Sequence, residues 1–341
     1  MKKKKIAING FGRIGRLLLR RLLEQTEEFE VVAINDLGDF ENLAYLLQYD
    51  TVYGKYPEAV HIDGEYLVIG ETCIKLLHVM NPTELPWGEL DVDVAVESTG
   101  IFDSFEKANM HIAAGAKHVV ITAPAKDEDG DLGKTVVMGV NEDAMGTCKV
   151  TSNGSCTTNA IASVVAVMEE SVGVEKAVLN TIHSYTATQS IVDGIVKGHD
   201  FRRGRAAAQN ISPSTTGAAL ALGRAIPTVQ GKFDGIAIRV PAIVGSIADV
   251  TFLSKRKTSV EEINDILRKA AQDPRWNNVL AVTEEQIVSS DIVGSRYGAI
   301  VDLGFTKVVD GDLVKLLSWY DNESGYVSTL VQHIKMAGER V

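Results

Sequence analysis

Short apolar runs alternate with helix-like stretches through the first half of the chain. The runs read KIAING, EVVAIND, VDVAVEST, HVVITAP and TVVMGV, and the last of them covers residues 135–140. Strands that are apolar at almost every position are typical of a parallel sheet buried on both faces. Residues 13–25 and 105–116 have the three- and four-residue apolar spacing of amphipathic helices. The alternation predicts a doubly wound parallel α/β domain.

The second half of the chain has a different pattern. Its runs are longer and alternate between apolar and polar positions, as in KAVLNTIHSYTA, FDGIAIRVPAI, GSIADVTFLSK, GAIVDLGFTKVV and LVKLLSWYD. One clear helix lies among them, at residues 259–272, and a last helix is expected within GYVSTLVQHIKMAG. Alternating strands fit an antiparallel sheet with one covered face. We therefore expect a second, α+β domain with a mostly antiparallel sheet, and a boundary near Ser152.

Composition excludes several classes of protein. Of the 341 residues, 45% are hydrophobic and 23% are charged, as in a soluble chain of two ordinary domains. The start, MKKKKIAINGFG, lacks the apolar core of a signal peptide, and no run has the length of a transmembrane helix. With 34 Lys and Arg against 45 Asp and Glu, the net charge of −11 argues against nucleic acid or an anionic membrane as partner. We expect a cytoplasmic location.

Cysteine usage points to one residue of interest. Cys73, Cys148 and Cys156 are too few and too scattered for a disulfide framework or a zinc site, which indicates a reducing compartment and no bound metal. Cys156 stands in SNGSCTTN, just before a helical run. Free N–H groups and the dipole at a helix start stabilise an anion, so this thiol is a candidate thiolate near neutral pH. A small buried residue is the alternative.

The first predicted strand leads into INGFGRIGR, where Gly10, Gly12 and Gly15 have the G-x-G-x-x-G spacing. Because the motif follows a strand and opens a helix, it stands in the context of a Rossmann-type dinucleotide site. Asp36 ends the second strand, where an acid accepts hydrogen bonds from a ribose and repels a 2′-phosphate. The pattern favours NAD as cofactor, with NADP not excluded. A glycine turn beside a solvated aspartate is the alternative.

A nicotinamide site together with a reactive cysteine indicates aldehyde oxidation. A thiolate that adds to an aldehyde carbonyl makes the carbon tetrahedral, so hydride can leave and a thioester remains. His183, in NTIHSYTATQ, is the leading candidate for the base, because its ordinary pKa suits proton transfer at neutral pH. A structural histidine is the alternative. Four other histidines are interpreted as surface residues: His61, His78, His111 and His199.

Two stretches suggest phosphate recognition. SPSTTGAALALG places Thr216 and Gly217 at a predicted helix start, which offers hydroxyl and N–H groups to an anion. FRRGRAAAQN is rich in arginine, and Arg239 interrupts the apolar run IAIRVPA, where an arginine is rarely buried without an anionic partner. Ordinary helix capping and a solvated basic face are the alternatives.

Eight stretches follow one another along nearly the whole chain: INGFGRIGR, AINDL, SNGSCTTN, HSYTATQ, RRGRAAAQNISPSTTGAA, AIRVP, VSSDIVG and SWYDNESGY. Together they resemble the glyceraldehyde-3-phosphate dehydrogenases of the phosphorylating type. The resemblance implies that Cys156 forms a hemithioacetal and then an acyl-enzyme, with His183 as base. It also implies that inorganic phosphate attacks the thioester and releases 1,3-bisphosphoglycerate.

The resemblance implies further site residues and domain bounds. Those for substrate and phosphate are Ser155, Thr157, Thr186, Arg202, Thr216, Gly217 and Arg239. Those for NAD are Gly10, Gly12, Arg13, Ile14, Gly15, Asp36, Thr99, Thr122 and Asn322. The dinucleotide-binding domain would span residues 1–154, with a helix at 322–341 packing back on it, and the catalytic domain would span residues 155–321.

The partners implied by the resemblance are glyceraldehyde 3-phosphate and inorganic phosphate. The loop at residues 185–205 would reach the cofactor of a neighbouring subunit, so a homotetramer is expected. An erythrose-4-phosphate dehydrogenase is the alternative within the same chemistry, and relative kcat/KM values on the two aldehydes separate them. A thiol hydrolase or a non-catalytic nucleotide-binding module is the alternative from another class, against which the complete glycine motif with Asp36 argues.

Overall fold

The chain forms two compact units in a computed structural model, which describes residues 2–196 and 198–341. The first unit consists of the residues up to Val136 together with Glu142–Gly154 and Leu330–Val341. The second consists of Val137–Asn141 and Ser155–Thr329. The first unit has a mostly parallel sheet and the second a mostly antiparallel sheet, so the predicted fold class is confirmed.

The first unit has the doubly wound pattern. Its strands are β1 (Lys4–Asn9), β2 (Phe29–Asn35), β3 (Tyr49–Asp50), β4 (Gly54–Lys55), β5 (Val60–Asp63), β6 (Tyr66–Ile69), β7 (Thr72–Leu77), β8 (Val94–Glu97), β9 (His118–Ile121), β10 (Lys134–Thr135) and β11 (Val150–Ser152). Its first three helices are α1 (Arg13–Leu23), α2 (Phe40–Gln48) and α3 (Phe105–Ala113). The main sheet has the order β10-β11-β9-β8-β1-β2-β7-β6-β5. It is parallel from β10 to β7 and ends in antiparallel pairs, which the sequence pattern does not predict.

The central strands of this sheet place polar residues side by side at one edge. VAVE in β8 and HVVI in β9 are buried at every position, as in a sheet covered on both faces. Parallel pairing aligns Asn9 at the end of β1 with Asn35 at the end of β2 and with Glu97 at the end of β8. Open α/β sheets bind their ligands outside the carboxyl ends of the strands. The three polar residues therefore lie at the ligand-binding edge.

Two predictions are wrong. Residues 135–140 form no strand beyond Thr135, because the Val137 N–H donates to Asn141 Oδ1 and Gly139 has a φ of +77°, which together close a buried turn. His111 is fully buried in α3 and not a surface residue, since the indole N–H of Trp87 and the carboxylate of Glu97 serve its two ring nitrogens. A histidine with both nitrogens satisfied is buried at little cost.

The second unit is an α+β arrangement. Its strands are β12 (Val174–Ser184), β13 (Ser212–Thr215), β14 (Phe233–Val240), β15 (Ser246–Ser254), β16 (Leu280–Thr283), β17 (Ala299–Asp302), β18 (Lys307–Val309) and β19 (Leu313–Tyr320). The helices that begin in it are α4 (Cys156–Ser171), α5 (Ala218–Ala225), α6 (Val260–Ala270) and α7 (Ser324–Glu339). The sheet order is β13-β14-β12-β15-β19-β17-β16, with β18 paired to β19. Among the helices of residues 2–196 and 198–341, none is long and apolar enough to cross a membrane.

Helix α4 is the core helix of the second unit. Every residue from Thr157 to Met168 is buried, because the sequence TTNAIASVVAVM has small or apolar side chains on all faces. A helix that is covered all round lies inside the domain and not on its surface. Its first turn is therefore held in a fixed place, which matters for the thiol at its start.

A buried network of hydrogen bonds joins His333, in the second half of α7, to the first sheet. Thr151 Oγ1 lies 2.9 Å from His118 Nε2 and 2.7 Å from His333 Nε2, and His333 Nδ1 lies 3.0 Å from Asn153 Oδ1. If His333 donates from Nδ1 to the Asn153 carbonyl, its Nε2 accepts the Thr151 hydroxyl, and that oxygen accepts from His118. Every partner is matched while both rings are neutral.

We predict that this network of buried histidines makes the stability of the fold depend on pH. Burial lowers the pKa of His118 to about 4 and that of His333 to about 3. In the unfolded protein these histidines bind a proton near pH 6.5, whereas the folded protein keeps them neutral. The free energy of unfolding is therefore highest above that pH and decreases as the pH falls toward 4. Each ring contributes a slope of up to about 1.4 kcal/mol per pH unit. Urea denaturation at pH 5 to 8 should show a shallower slope for His333→Asn. Replacement of the exposed His61 by Asn should leave the slope unchanged, and an equal slope in all three proteins would contradict the prediction.

Candidate active site

The thiol of Cys156 lies at the start of α4. Ser155 is the N-cap: its hydroxyl accepts the Thr158 N–H at 3.0 Å, and the Thr158 hydroxyl accepts the Ser155 N–H at 3.2 Å. This capping box fixes the first turn. The first turn contains no acidic residue, so the N–H groups and the helix dipole act on the sulfur without an opposing charge. The thiol therefore lies at the start of a helix, as predicted.

His183 lies beside this thiol. Its Nε2 is 3.4 Å from Cys156 Sγ, although the two residues are 27 positions apart in the chain. The ring is nearly completely buried near the end of β12. Its Nδ1 is 2.7 Å from the carbonyl oxygen of Ser184 and 2.6 Å from Nη1 of Arg239. The structure thus brings together the predicted nucleophile, the predicted base and a cation.

The surroundings of Nδ1 give both neutral tautomers of His183 a partner. When Nδ1 carries the proton it donates to the Ser184 carbonyl, and Nε2 is free to accept the thiol proton. When Nδ1 is bare it accepts from the Arg239 guanidinium, and Nε2–H points toward the sulfur. The ring can therefore serve as a base in one state and as a hydrogen-bond donor in the other.

Burial and Arg239 together keep the resting pair neutral. Burial, reinforced by the Arg239 charge, lowers the pKa of His183 to about 3. Burial raises the pKa of Cys156, although the Arg239 charge and the hydrogen bonds of Thr157 act in the opposite direction. The expectation of a thiolate near neutral pH is therefore wrong, because desolvation outweighs the helix start. A neutral thiol beside a neutral imidazole remains, and proton transfer between them generates the nucleophile.

Strand pairing accounts for the position of Arg239. β14 runs parallel to β12 with His183 opposite Arg239, and β13 runs antiparallel on the other side with Ser212 opposite Arg239. The guanidinium also donates to the Ser184 carbonyl at 3.0 Å. Burial lowers the pKa of Arg239, and the nearby charge of Arg203 lowers it further. This cation is poorly hydrated and close to the thiol, as a group that receives an anion would be.

Arg203 stands in the arginine-rich stretch FRRGRAAAQN, from which the resemblance implies only Arg202 as a phosphate residue. Its Nη1 donates to Thr188 Oγ1 at 3.1 Å and its Nη2 lies 3.5 Å from Ser214 Oγ. Both arginines pair with Asp200, Arg202 at 3.1 Å and Arg203 at 3.3 Å, but Arg202, the predicted residue, is exposed whereas Arg203 is half-buried. The described contacts therefore bring Arg203 toward Arg239 and leave Arg202 facing the surface.

The other predicted substrate residues have these positions. The Thr157 hydroxyl is 2.9 Å from the phenol of Tyr320, which is also 2.7 Å from the Thr181 hydroxyl. The Thr186 hydroxyl is 3.0 Å from that of Thr188. Gly217 is the N-cap of α5 with open space where a Cβ would stand, and the Thr216 hydroxyl accepts the Ala218 N–H at 3.2 Å. The predicted helix start at Thr216 and Gly217 is therefore present.

Tyr320 is a second residue that the sequence analysis missed. It is fully buried, its ring meets that of His183 edge to face with centroids 5.9 Å apart, and burial raises the pKa of its phenol. The phenol joins Thr157, next to the nucleophile, to Thr181, two residues before the base. Tyr320 thus packs beside both the predicted nucleophile and the predicted base. Its place beside aromatic and apolar residues in SWYD gave no sign of this.

In the first unit, the three glycines of the motif have distinct roles. Gly10 has a φ of +97°, and a Cβ there would lie 2.6 Å from the Thr99 nitrogen. A Cβ on Gly15 would lie 2.2 Å from the Gly10 carbonyl oxygen. Gly12, the N-cap of α1, has open space in that direction and leaves the helix start without a side-chain cap. The turn therefore fits a pyrophosphate, which can approach the backbone at Gly12 and lie on the helix N-terminus.

The other residues of this unit that were predicted for the cofactor have the following contacts. Asp36 accepts the Phe11 N–H at 2.6 Å and the Gly38 N–H at 2.7 Å, so its carboxylate is held beside the glycines with further lone pairs for a ribose. Ile14 is half-buried in the first turn of α1, and the Arg13 guanidinium pairs with Asp50 at 2.6 Å. Thr99 and Thr122 both bond to Glu97.

Asn322, the predicted cofactor residue of the second unit, is buried just after β19. Its Oδ1 accepts from the hydroxyls of Ser184 and Ser246 at 2.8 and 3.1 Å and from the Gly245 N–H at 3.1 Å. These contacts fix the side-chain amide next to the strand that carries His183. Within the described ranges 2–196 and 198–341, no group of three His, Cys, Asp or Glu residues could hold a metal ion.

Comparison with known proteins gives one family. Residues 4–105 match the family model described as glyceraldehyde 3-phosphate dehydrogenase, NAD binding domain, and residues 155–322 match its C-terminal domain. The glyceraldehyde-3-phosphate dehydrogenase of Streptomyces coelicolor is 47% identical over 340 residues, 99% of each chain. Those of Mycobacterium avium and Clostridium pasteurianum are each 47% identical over 342 and 336 residues, covering 98% and 97% of each chain.

We predict that Arg239 controls the ionisation of the thiol. Loss of its charge in Arg239→Gln should raise the pKa of Cys156 and that of His183, because the cation lowers both. The alkylation of Cys156 by iodoacetamide can be measured from pH 6 to 10 by mass spectrometry of the peptide that contains it. In Arg239→Gln the alkylation should require a higher pH than in the unsubstituted protein. Arg205→Gln removes a cation that pairs with Asp193 at the surface and should leave the profile unchanged. Coincident profiles for the two variants would contradict the assignment.

Proposed function

The chain belongs to the glyceraldehyde 3-phosphate dehydrogenase family, and we propose that Cys156 and His183 carry out its NAD-dependent oxidation and phosphorylation of glyceraldehyde 3-phosphate. The single observation that supports this assignment most is the 3.4 Å contact between Cys156 Sγ and His183 Nε2. Nucleophile and base are within reach of one another, and the base is held by a third group. The relatives compared above are named for this aldehyde and none for erythrose 4-phosphate.

The first step is addition of the thiol to the aldehyde. His183 Nε2 takes the thiol proton and the sulfur forms a bond to the carbonyl carbon. The carbonyl oxygen then takes this proton from His183 and becomes the hydroxyl of a hemithioacetal, so the ring is again neutral. The N–H of Cys156 at the start of α4 and the Nε2–H of His183 are the donors available to that oxygen while it is anionic. The Arg239 charge disfavours the protonated form of His183, because it adds to burial in lowering the pKa of that ring.

The second step makes the thioester. NAD, when bound, accepts the hydride that leaves the hemithioacetal carbon. His183 takes the hydroxyl proton, the carbon–oxygen double bond re-forms, and the acyl group remains on the Cys156 sulfur. An oxygen of inorganic phosphate then attacks the acyl carbon, the carbon–sulfur bond breaks, and the products are 1,3-bisphosphoglycerate and the free thiolate, which takes its proton back from His183.

Phosphate groups require cations in a chain whose net charge is −11. We propose Arg239 for this task, together with the predicted Thr186 and Arg202, and we add Arg203 because of its contacts near Thr188 and Ser214. For the attacking phosphate we propose Ser155, Thr157, Thr216 and Gly217. The start of α5 at Gly217, with open space in front of it, supports this assignment.

For the cofactor, we assign NAD to the first unit. Gly10, Gly12 and Gly15 would receive the pyrophosphate with the backbone of Arg13 and Ile14, and Asp36 would accept the ribose hydroxyls. Thr99, Thr122 and Asn322 would complete the site. The carboxylate of Asp36, beside the glycine turn, disfavours a 2′-phosphate and hence NADP.

We predict phosphate-dependent formation of NADH. Purified protein with glyceraldehyde 3-phosphate and NAD should increase the absorbance at 340 nm, and it should turn over repeatedly only when inorganic phosphate is present. Cys156→Ser should abolish the reaction, because a serine hydroxyl is far less ionised and less nucleophilic. His183→Asn should lower kcat by about 10²- to 10⁴-fold, the range for a lost general base. A His183→Asn variant with unchanged kcat would refute the role of the base, and a parallel series with NADP measures the contribution of Asp36.

We propose a homotetramer in the cytoplasm. The support for assembly is the loop at residues 185–205, in which Ile191, Val192, Ile195 and Phe201 are all more than 70% exposed. An exposed apolar group of this kind is typical of an interface. Lys197, within the same stretch, lies outside the described residues. The three cysteines are free, as expected in a reducing compartment.

We predict that this loop holds the tetramer together. Ile195→Asp places a charge on an exposed apolar side chain, so the assembly should dissociate to smaller species, as measured by light scattering after size-exclusion chromatography. Val288→Asp, at another exposed apolar position, should leave the molar mass unchanged. A tetramer in both variants would refute the role of the loop.

A further inference from the structure

The carboxylate of Glu97 is buried at the end of β8 and is held by uncharged donors. The residue is 2% exposed. One oxygen, Oε1, accepts the Thr99 N–H at 2.8 Å and the Thr99 hydroxyl. The other, Oε2, accepts from the Asn9 amide at 2.5 Å and lies 3.0 Å from His111 Nε2. A buried carboxylate is expensive unless it is fully hydrogen-bonded, so its retention here calls for a reason.

The neighbours of this carboxyl group direct donors at it. Trp87 can only donate, and its indole N–H lies 3.0 Å from His111 Nδ1, which must therefore accept. The neutral ring then has its proton on Nε2 and donates to Glu97. The Thr99 hydroxyl accepts the Ile101 N–H at 3.1 Å, which leaves its own proton for Glu97. Each of these contacts thus has a donor facing the carboxyl group, an arrangement that uses both of its oxygens as acceptors.

The same network reaches the turns that we assign to the cofactor. Asn9 precedes Gly10, and its Oδ1 accepts from the Asn35 amide at 2.7 Å; Asn35 in turn precedes Asp36. Thr99 lies against Gly10, since a Cβ there would be 2.6 Å from the Thr99 nitrogen. The ends of three adjacent strands, β2, β1 and β8, are therefore tied to one carboxylate, directly or through Asn9.

We propose that Glu97 is a positioning residue of the dinucleotide site. Its carboxylate fixes the Thr99 turn directly and the glycine turn through Asn9, while His111, oriented by Trp87, holds the carboxylate in place. The inference rests on the proposed function, because it takes the strand ends as the NAD site. His111 contacts the Oε2 side of the carboxylate, away from the Thr99 turn, and its Nε2 also lies 3.4 Å from the Asn9 amide nitrogen.

Glutamine cannot replace this glutamate, although its shape is nearly the same. A side-chain amide has one acceptor oxygen and one NH₂ group, so the NH₂ must face either the two Thr99 donors or the donors of Asn9 and His111. Either choice sets donor against donor and leaves a buried group unpaired. At position 111 the situation differs, because glutamine can still donate to Glu97 whereas leucine cannot.

The test compares Glu97→Gln, His111→Leu and His111→Gln with a matched control, Glu30→Gln, at an exposed glutamate on β2 of the same sheet. Two quantities are measured on the purified full chain: the Kd of NAD by calorimetry, and amide hydrogen exchange at residues 98–101 without NAD. We expect Glu97→Gln and His111→Leu to weaken NAD binding about tenfold or more and to exchange faster at 98–101. His111→Gln should restore the Kd to within about twofold of the unsubstituted protein, as should Glu30→Gln.

The outcomes separate positioning from mere support of the fold. If Glu97→Gln does not fold, the comparison of His111→Leu with His111→Gln still tests the proposal. Equal melting temperatures of these two His111 variants would exclude a general loss of stability as the cause of weaker NAD binding. An unchanged Kd in a folded Glu97→Gln or His111→Leu protein would overturn the proposal, as would equal weakening in His111→Leu and His111→Gln. If the unsubstituted protein does not bind NAD, both the proposed function and this inference are wrong. The measurement on the unsubstituted protein therefore distinguishes failure of the proposed function from failure of the inference alone.

Discussion

The chemistry of the second unit depends on the contact between Arg239 and His183. A guanidinium 2.6 Å from an imidazole nitrogen is an unfavourable neighbour for an imidazolium, so it keeps the ring neutral and ready to take a proton. The same charge opposes the effect of burial on Cys156, since it lowers the pKa that desolvation raises. The Arg239 charge therefore disfavours the protonated form of His183, the proposed base, and favours the thiolate form of Cys156, the proposed nucleophile.

Both units obtain their sites from strand pairing. In the second unit the parallel register of β12 and β14 sets His183 opposite Arg239, and in the first the register of β2, β1 and β8 aligns Asn35, Asn9 and Glu97. Main-chain hydrogen bonds specify these neighbours over many residues, so the side chains need few contacts of their own to stay in place. A shift of one position would turn each of them to the opposite face of its sheet.

The sequence predicts the fold class and the glycine turn well because each depends on local pattern. Gly10, Gly12 and Gly15 act within six residues, and the periods of strand and helix are local as well. Cys156 and His183 are 27 residues apart in the chain, so no local pattern predicts their contact. The pairing was predicted because the chemistry requires a nucleophile and a base, and from the family resemblance. The choice between Arg202 and Arg203 depends on how a loop folds, and the burial of His111 depends on Trp87 and Glu97, 24 and 14 positions away. The thiolate expectation failed for the same reason, because desolvation comes from the whole surrounding unit.

The position of Leu330–Val341 has a consequence for synthesis of the chain. This segment belongs to the first unit, although it follows every residue of the second. His333 therefore emerges from the ribosome long after Thr151 and Asn153, whose buried side chains it bonds. The nucleotide-binding unit cannot complete its core during translation, and its final packing must wait until the unit translated after it has also been made. The two units are thus coupled in the order of their folding.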